Sequence, residues 1–185
     1  LLGEISRRLK RITPAVRRDP AVIALMLEAA TSRHAPAATL RLMNETGVLG
    51  RMVPEFGKIV AQMQFNMYHH YTVDEHTLRA IDIMSEIEHG RLAQDHPLAT
   101  SIFSKIINRR ALYLAMLLHD TGKGGGDQQI EGEKSARAAC ERLGLPAEEV
   151  DLVGWLVRRH LMMCDTAQKR DLSDPRTVAG FVREV

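Results

Sequence analysis

The fold of this chain is decided by the apolar stretch Ala111-Leu-Tyr-Leu-Ala-Met-Leu-Leu118, which runs into His119-Asp120 and the turn Thr121-Gly-Lys-Gly-Gly-Gly126. Eight mostly apolar residues in succession are typical of a helix that is buried on most of its sides. Polar groups at the end of such a helix need partners, because burying them alone costs free energy. A divalent metal ion would satisfy both, since neutral imidazole and carboxylate are ligands of first-row cations. The alternative is structural, with His119 ending the helix and Asp120 beginning a turn.

A second histidine stands at the start of another helical pattern. Thr72-Val-Asp-Glu75 has the spacing of a capping box, in which a hydroxyl residue is followed three positions later by Glu. An apolar stripe at three- and four-residue spacing then runs from Leu78 to Ile87 and predicts one core-facing side. His76 lies near the edge of that stripe. Two separate helices can therefore each present a metal-type ligand near one of their ends.

The other patterns along the chain are helical as well. No segment shows the period-two alternation that is typical of a strand. Amphipathic patterns predict helices over residues 131–142 and from residue 146 to about residue 162. Further helix starts are predicted at Asp19-Pro20, Pro36, Pro54 (a helix through Met63) and Asp174-Pro175. The chain is therefore predicted to be all-α.

Composition limits the classes of function. The 185 residues are 45% hydrophobic and 26% charged, which is ordinary for a soluble globular domain. The net charge of +2 is too small to argue for nucleic acid or an anionic membrane, so neither partner is expected. Cys140 and Cys164 form no CxxC pair, which favours a reducing compartment, and Cys140 is predicted to be a packed thiol. With neither a signal peptide nor a membrane-length apolar run, a cytoplasmic location is expected.

The pattern His76…His119-Asp120 resembles the His…His-Asp…Asp signature of the HD superfamily of metal-dependent phosphohydrolases. The resemblance extends to the HD region of the PII uridylyltransferase/uridylyl-removing family and covers roughly residues 15 to 185. The blocks that carry it are Leu40–Gly50, Pro54–Phe56, Met63–Phe65, Tyr71–Leu78, Leu118–Asp120 with Gly122-Lys123, Trp155–Val157, Thr166–Asp171 and Asp174-Pro175.

This resemblance implies an HD-domain helical bundle. It divides the chain into an N-terminal helical segment, residues 1–65, and an HD phosphohydrolase domain, residues 66–185, which is incomplete at its C-terminal end. The implied reaction is metal-dependent hydrolysis of the uridylyl-tyrosine phosphodiester on the PII signalling protein, which releases UMP in nitrogen regulation. The chain is then expected to be an excised piece of a bifunctional enzyme. A nucleotidyltransferase domain is expected before it and glutamine-sensing ACT domains after it.

The resemblance also implies a site. His76, His119 and Asp120 are expected to hold a divalent ion, Mg²⁺ or Mn²⁺, and Asp120 to orient the attacking water. Lys123 is expected to contact phosphate, with a solvated turn lysine as the alternative. His160 is expected to contact phosphate or act as an acid, and otherwise is a polar residue near a helix end. His69 is expected to line the substrate pocket, with a packing role as the alternative.

The sequence departs from the family pattern in two places. The last Asp ligand of the superfamily does not occur before Val185, because Asp171 and Asp174 are interpreted as turn and capping residues. Gln128 and Arg159 stand where relatives often have His, so a second metal ion is not expected. Two other functions stay open: a generic HD phosphohydrolase acting on nucleotides, and a non-catalytic helical module that docks PII.

Overall fold

The computed structural model describes residues 2–63 and 71–185. All regular secondary structure in these ranges is helical. The prediction of an all-α chain is therefore confirmed. The helices are α1 (Leu2–Arg7), α2 (Pro20–Thr31), α3 (Pro36–Glu45), α4 (Val48–Met52), α5 (Pro54–Gly57), α6 (Val73–Glu88), α7 (Pro97–Phe103), α8 (Arg109–Leu118), α9 (Gln128–Arg142), α10 (Ala147–Arg159), α11 (Met162–Lys169) and α12 (Pro175–Glu184).

Aspartates begin two of the predicted helices. The Asp19 carboxylate accepts hydrogen bonds from the backbone N–H groups of Ala21 and Val22, which would otherwise lack partners in the first turn of α2. The Asp174 carboxylate accepts from Arg176 N at the start of α12. The predicted helix starts at these two Asp-Pro pairs are confirmed, and Asp174 serves as a cap.

Helix α5 is shorter than its sequence predicts. It ends at Gly57 instead of continuing to Met63. The backbone of Ala61 has a φ of +57°, a left-handed conformation that a right-handed helix cannot contain. Ile59 is nevertheless completely buried, so the apolar pattern is correct about burial although it is wrong about the helix.

The capping box predicted before α6 does not form. Thr72 is the N-cap residue, but its side chain makes no capping hydrogen bond. Glu75 instead accepts a hydrogen bond from Arg41 of α3 at 3.2 Å. The neighbouring Asp74 is buried and accepts from Asn44 Nδ2 at 2.7 Å. Tertiary contacts with α3 therefore hold the start of α6 where a local cap was predicted.

Helices α7 and α11 are among those that the sequence does not predict. Pro97 begins α7 in a segment where no helix is predicted. The helix predicted from residue 146 to residue 162 is interrupted, because α10 ends at Arg159 and α11 begins at Met162. His160 lies in this break as the C-cap residue of α10, which places its imidazole at a helix end.

Helix α8 runs through the centre of the core. It packs against α2, α6, α9 and α10. Six of its ten residues are buried: Ala111, Tyr113, Leu114, Ala115, Leu117 and Leu118. The predicted burial on most sides is confirmed. His119 and Asp120, which follow Leu118, therefore lie in the interior, near α6, α9 and α10.

Cys140 of α9 is a packed thiol, as predicted. Its side chain is fully buried in the core. Burial, followed by the charges of Glu149 and Glu55, raises the pKa of this thiol to about 12. The described residues contain no helix long and apolar enough to cross a membrane. The division into residues 1–65 and residues 66–185 stays a prediction.

Candidate metal centre

Three helix ends meet beside Asp120. His76 lies in the first turn of α6, and His119 is the C-cap residue of α8. His160 follows the last residue of α10. Asp120 itself is only 2% exposed. The C-terminal end of α8 therefore places the Asp120 carboxylate among three imidazoles that come from separate helices.

The donor atoms of His76, His119 and Asp120 all lie within 4.8 Å of one another, and we call these three residues the metal centre. The Nε2 atoms of His119 and His76 lie 3.3 Å and 3.9 Å from Asp120 Oδ2. Two imidazole nitrogens and a carboxylate oxygen converging in this way suit first-row divalent cations. The residues predicted as ligands are thus brought together.

Backbone carbonyls orient the imidazoles. His119 Nδ1 lies 2.8 Å from the carbonyl oxygen of Met116, and His160 Nδ1 lies 2.7 Å from that of Val157. A carbonyl oxygen only accepts hydrogen bonds, so each Nδ1 carries the proton and donates it. Each Nε2 is thereby turned toward Asp120, as in metal-bound histidines whose other nitrogen bonds a carbonyl.

Asp120 is held in its ionised form. Burial by itself would raise the pKa of this carboxyl group, but the hydrogen bond and charge of His119, followed by those of Lys123, outweigh it. The net result is a pKa well below the usual range of an aspartate. An ionised carboxylate is the form that coordinates a cation, so the donor set of the metal centre fits a divalent ion.

Lys123 is part of this arrangement. Its ammonium group lies 2.6 Å from Asp120 Oδ2, and its side chain is only 9% exposed. The alternative of a solvated turn lysine is therefore wrong. Lys123 supplies a buried positive charge beside Asp120, the carboxylate on which the imidazoles converge.

The loop that carries Lys123 depends on one glycine. A Cβ atom at Gly122 would lie 2.3 Å from both Gln128 O and Gly132 N, which is closer than any side-chain atom can approach backbone. Only glycine lets the loop pack this tightly against the start of α9. This close approach places Lys123 over Asp120.

The second carboxylate oxygen of Asp120 has its own surroundings. His160 Nε2 lies 4.0 Å from Asp120 Oδ1, and Gln128 Nε2 donates to the same oxygen at 3.4 Å. Burial has the largest influence on the pKa of His160 and lowers it. The hydrogen bond to Val157 O opposes this effect, and the charge of His119 adds to the lowering. Sequence reasoning missed the contact of Gln128. The signal was its departure from the family pattern, in which His is expected at this position.

The remaining sequence-predicted residues lie elsewhere. His69 lies outside the described residues. Asp174 caps α12, and Asp171 accepts a hydrogen bond from the backbone N–H of Ser173. Within the described part of the chain, no second carboxylate joins the donors of the metal centre.

The fold and the site define a class of protein: an all-helical domain in which two histidines and an aspartate can hold a divalent metal ion. The chain belongs to the HD domain family, whose family model matches residues 73–183. This range includes the whole metal centre together with Lys123 and His160.

Relatives of known name resemble nearly the whole chain. The bifunctional uridylyltransferase/uridylyl-removing enzyme of Phenylobacterium zucineum is 61% identical over 181 residues, 97% of this chain and 19% of the relative. The enzyme of the same name from Caulobacter vibrioides is 59% identical over 182 residues, 98% of this chain and 19% of the relative. That from Azospirillum brasilense is 53% identical over 182 residues, 98% of this chain and 20% of the relative. The chain thus spans about a fifth of the length of these relatives.

Proposed function

We propose that this chain carries the uridylyl-removing activity of a bifunctional uridylyltransferase. The substrate is the uridylyl-tyrosine phosphodiester on PII, and the products are UMP and unmodified PII. The observation that carries the proposal is the convergence of His76, His119 and Asp120 in a chain that is 61% identical to an enzyme of that name. The proposal includes a bacterial cytoplasmic setting in nitrogen regulation and does not include nucleic acid as a partner.

The imidazoles of His76 and His119 and the carboxylate of Asp120 would hold Mg²⁺ or Mn²⁺. Such an ion would lower the pKa of water and polarise a phosphoryl oxygen. Lys123 pairs with Oδ2 of Asp120, so Oδ1 can accept a hydrogen bond from the attacking water beside the one it accepts from Gln128. The fourth ligand is proposed to be an aspartate that follows Val185.

The hydrolysis is balanced by one water molecule. The water oxygen forms a bond to phosphorus, the bond between phosphorus and the tyrosine oxygen breaks, and a proton ends on that oxygen. His160 presents Nε2 beside Asp120 for this proton exchange, because its Nδ1–H is held by Val157 O. Lys123 places its charge where it can reach a phosphoryl oxygen. His69 stays a predicted pocket residue.

The test measures UMP release from uridylylated PII with a protein extended past Val185, in Mn²⁺, Mg²⁺ or EDTA. Asp120→Ala is compared with Asp95→Ala, a control at an exposed aspartate outside the site. We expect metal-dependent release that Asp120→Ala abolishes and Asp95→Ala leaves intact. Equal release from both variants would contradict the site.

Two further outcomes separate the other functions. Faster hydrolysis of free nucleotides than of uridylylated PII would favour a generic HD phosphohydrolase. Binding of PII without release of UMP, from wild type in either metal, would favour a docking module.

A further inference from the structure

Beside the metal centre lies a pocket of about 370 Å³ whose lining is divided by chemistry. Three imidazoles form one edge: those of His76, His119 and His160. The rest of the lining is hydrocarbon and thioether, and we call it the apolar wall: Ala80, Leu112, Ala115, Met116 and Leu156.

The apolar wall is built into the same helices as the imidazoles. Ala80 lies one turn after His76 on α6, and Leu156 lies one turn before the C-cap His160 on α10. Ala115 and Met116 lie four and three positions before His119. Residues three and four apart share one face of a helix, so each imidazole lies next to residues of the apolar wall on its own helix. Because the imidazoles and the wall line the same pocket, a group bound at the metal centre can reach the wall.

A phosphodiester has two substituents on phosphorus, and they differ in what they need from a pocket. The uridine substituent carries ribose hydroxyls and a base with two carbonyl groups and an N–H, which lose free energy if buried without hydrogen bonds. The tyrosyl ring is hydrocarbon except for the ester oxygen that it shares with phosphorus. The apolar wall offers it contact area and no unmatched polar group.

We propose that the apolar wall holds the tyrosyl ring of the substrate, so that the leaving group and not the nucleoside lies between α6, α8 and α10. This inference rests on the proposed function. It assigns Met116, Leu112 and Leu156 to substrate specificity, and it places the nucleoside on another side of the metal centre.

The continuation of the wall supports this assignment. A second pocket of about 390 Å³ shares Ala80, Leu112 and Met116 with the first, and its lining is apolar throughout. It leads outward to Ile83 and Ile102, each 47% exposed. A tyrosine is attached to a polypeptide that must continue past the ring, whereas a nucleoside ends at its base. An apolar path from the pocket to the surface fits the tyrosine.

The test compares two UMP esters with leaving groups of similar acidity, in Mn²⁺ and with the protein extended past Val185. One is the phenyl ester, and the other is the hexafluoroisopropyl ester, which has no ring. Met116→Gln puts a polar group of similar size into the wall, and Met163→Gln is the matched control at a 66% exposed methionine.

We expect Met116→Gln to lower the ratio of kcat/KM for the phenyl ester to kcat/KM for the aliphatic ester about tenfold, mainly through KM. Met163→Gln should leave this ratio as in wild type. An equal fall for both esters would overturn the inference, since a wall that holds the nucleoside or only supports the fold gives that result. Failure of wild type to hydrolyse either ester or uridylylated PII would overturn the proposed function, and the ring assignment with it.

A second measurement does not require a variant. The methyl group of Met116 is observed by NMR in protein with ¹³C-labelled methionine methyls, as phenylphosphonate or methylphosphonate is added with Mg²⁺. An aromatic ring against the wall shifts the Met116 signal with phenylphosphonate only, and the Met163 signal stays in place. The same small shift with both phosphonates would contradict the inference.

Discussion

The two ends of α8 both carry buried charge, but they differ in how that charge is satisfied. At the N-terminal end, Arg109 donates to both carboxylate oxygens of Glu88, at 2.5 Å and 2.8 Å, and Tyr113 donates to Glu88 at 2.6 Å. Arg109 also donates to the carbonyl oxygens of Thr31 and Ser32. We call Glu88, Arg109 and Tyr113 the arginine cluster. It is complete without a ligand.

At the C-terminal end, the metal centre is arranged differently. Its imidazoles approach Asp120 Oδ2 at 3.3 Å and 3.9 Å, and His160 approaches Oδ1 at 4.0 Å. Lys123 pairs with Asp120 Oδ2 at 2.6 Å, whereas the imidazoles converge on the carboxylate at longer distances than the donors of the arginine cluster. The buried charge of Asp120 therefore indicates a function because metal-type side chains converge on it in addition to the one cation that pairs with it.

Arg109→Leu is expected to have the largest effect on stability. The substitution leaves the largely buried Glu88 carboxylate with the Tyr113 hydroxyl and the more distant Arg33 guanidinium as its remaining partners, so the free energy of unfolding should fall by about 3 kcal/mol. Urea unfolding measures the loss, with Arg7→Leu at an exposed arginine as the control. The Mn²⁺ affinity of the folded fraction of this variant should stay as in wild type. A loss of Mn²⁺ affinity with unchanged stability would reverse the comparison between the two ends.

His76→Gln tests the other end of α8. The substitution removes one donor of the metal centre, and the His76 side chain is 41% exposed. We expect Mn²⁺ affinity to fall about 100-fold, which is about 2.7 kcal/mol, with the free energy of unfolding changed by less than about 1 kcal/mol. Calorimetric titration and urea unfolding measure the two quantities, and His34→Gln at a histidine remote from the centre is the control. If stability falls and affinity does not, His76 is structural.

Sequence reasoning predicts the central helix and its polar end because both depend on local pattern. The apolar run 111–118 becomes α8, and the histidine and aspartate that follow it lie where a buried helix must end. His76 is found because it lies at the edge of the apolar stripe of α6. These signals need no knowledge of which helices are neighbours.

What the sequence does not reveal depends on tertiary contacts. Glu88 and Arg109 are 21 residues apart, and no pattern pairs them. The burial of Lys123 depends on the approach of Gly122 to α9, and the apolar wall exists only where α6, α8 and α10 meet. The capping box at Thr72 is wrong for the same reason, because α3 supplies the partner of Glu75.

Gly122→Ala sharpens the comparison, because Gly122 lies in the loop that carries Lys123, next to the metal centre and not the arginine cluster. The added Cβ would meet the backbone of α9, so we expect a loss of about 2 kcal/mol in the free energy of unfolding together with weaker Mn²⁺ binding. Gly126→Ala is the matched control, since a Cβ there meets nothing within 4 Å. Urea unfolding and Mn²⁺ titration measure the effects. Equal behaviour of the two variants would show that the close approach of Gly122 does not position the loop.

Tyr113→Phe has the smallest expected effect and tests whether the arginine cluster depends on pH. Burial, and after it the hydrogen bond to Glu88, raises the pKa of Tyr113 to about 12, against about 10 in an unfolded chain. The protonated phenol therefore stabilises the fold fully below about pH 10, and this contribution is lost as the pH rises through about 12.

Removing the hydroxyl should lower the free energy of unfolding by about 1.5 kcal/mol at pH 7, because a hydrogen bond to a carboxylate is lost. Urea unfolding at pH 7, 10 and 11.5 measures the difference from wild type, with Tyr71→Phe at a 44% exposed tyrosine as the control. The difference should shrink at the highest pH for Tyr113→Phe only. A difference that stays constant over this range would mean that packing, and not the charge of Glu88, holds Tyr113 at its end of α8.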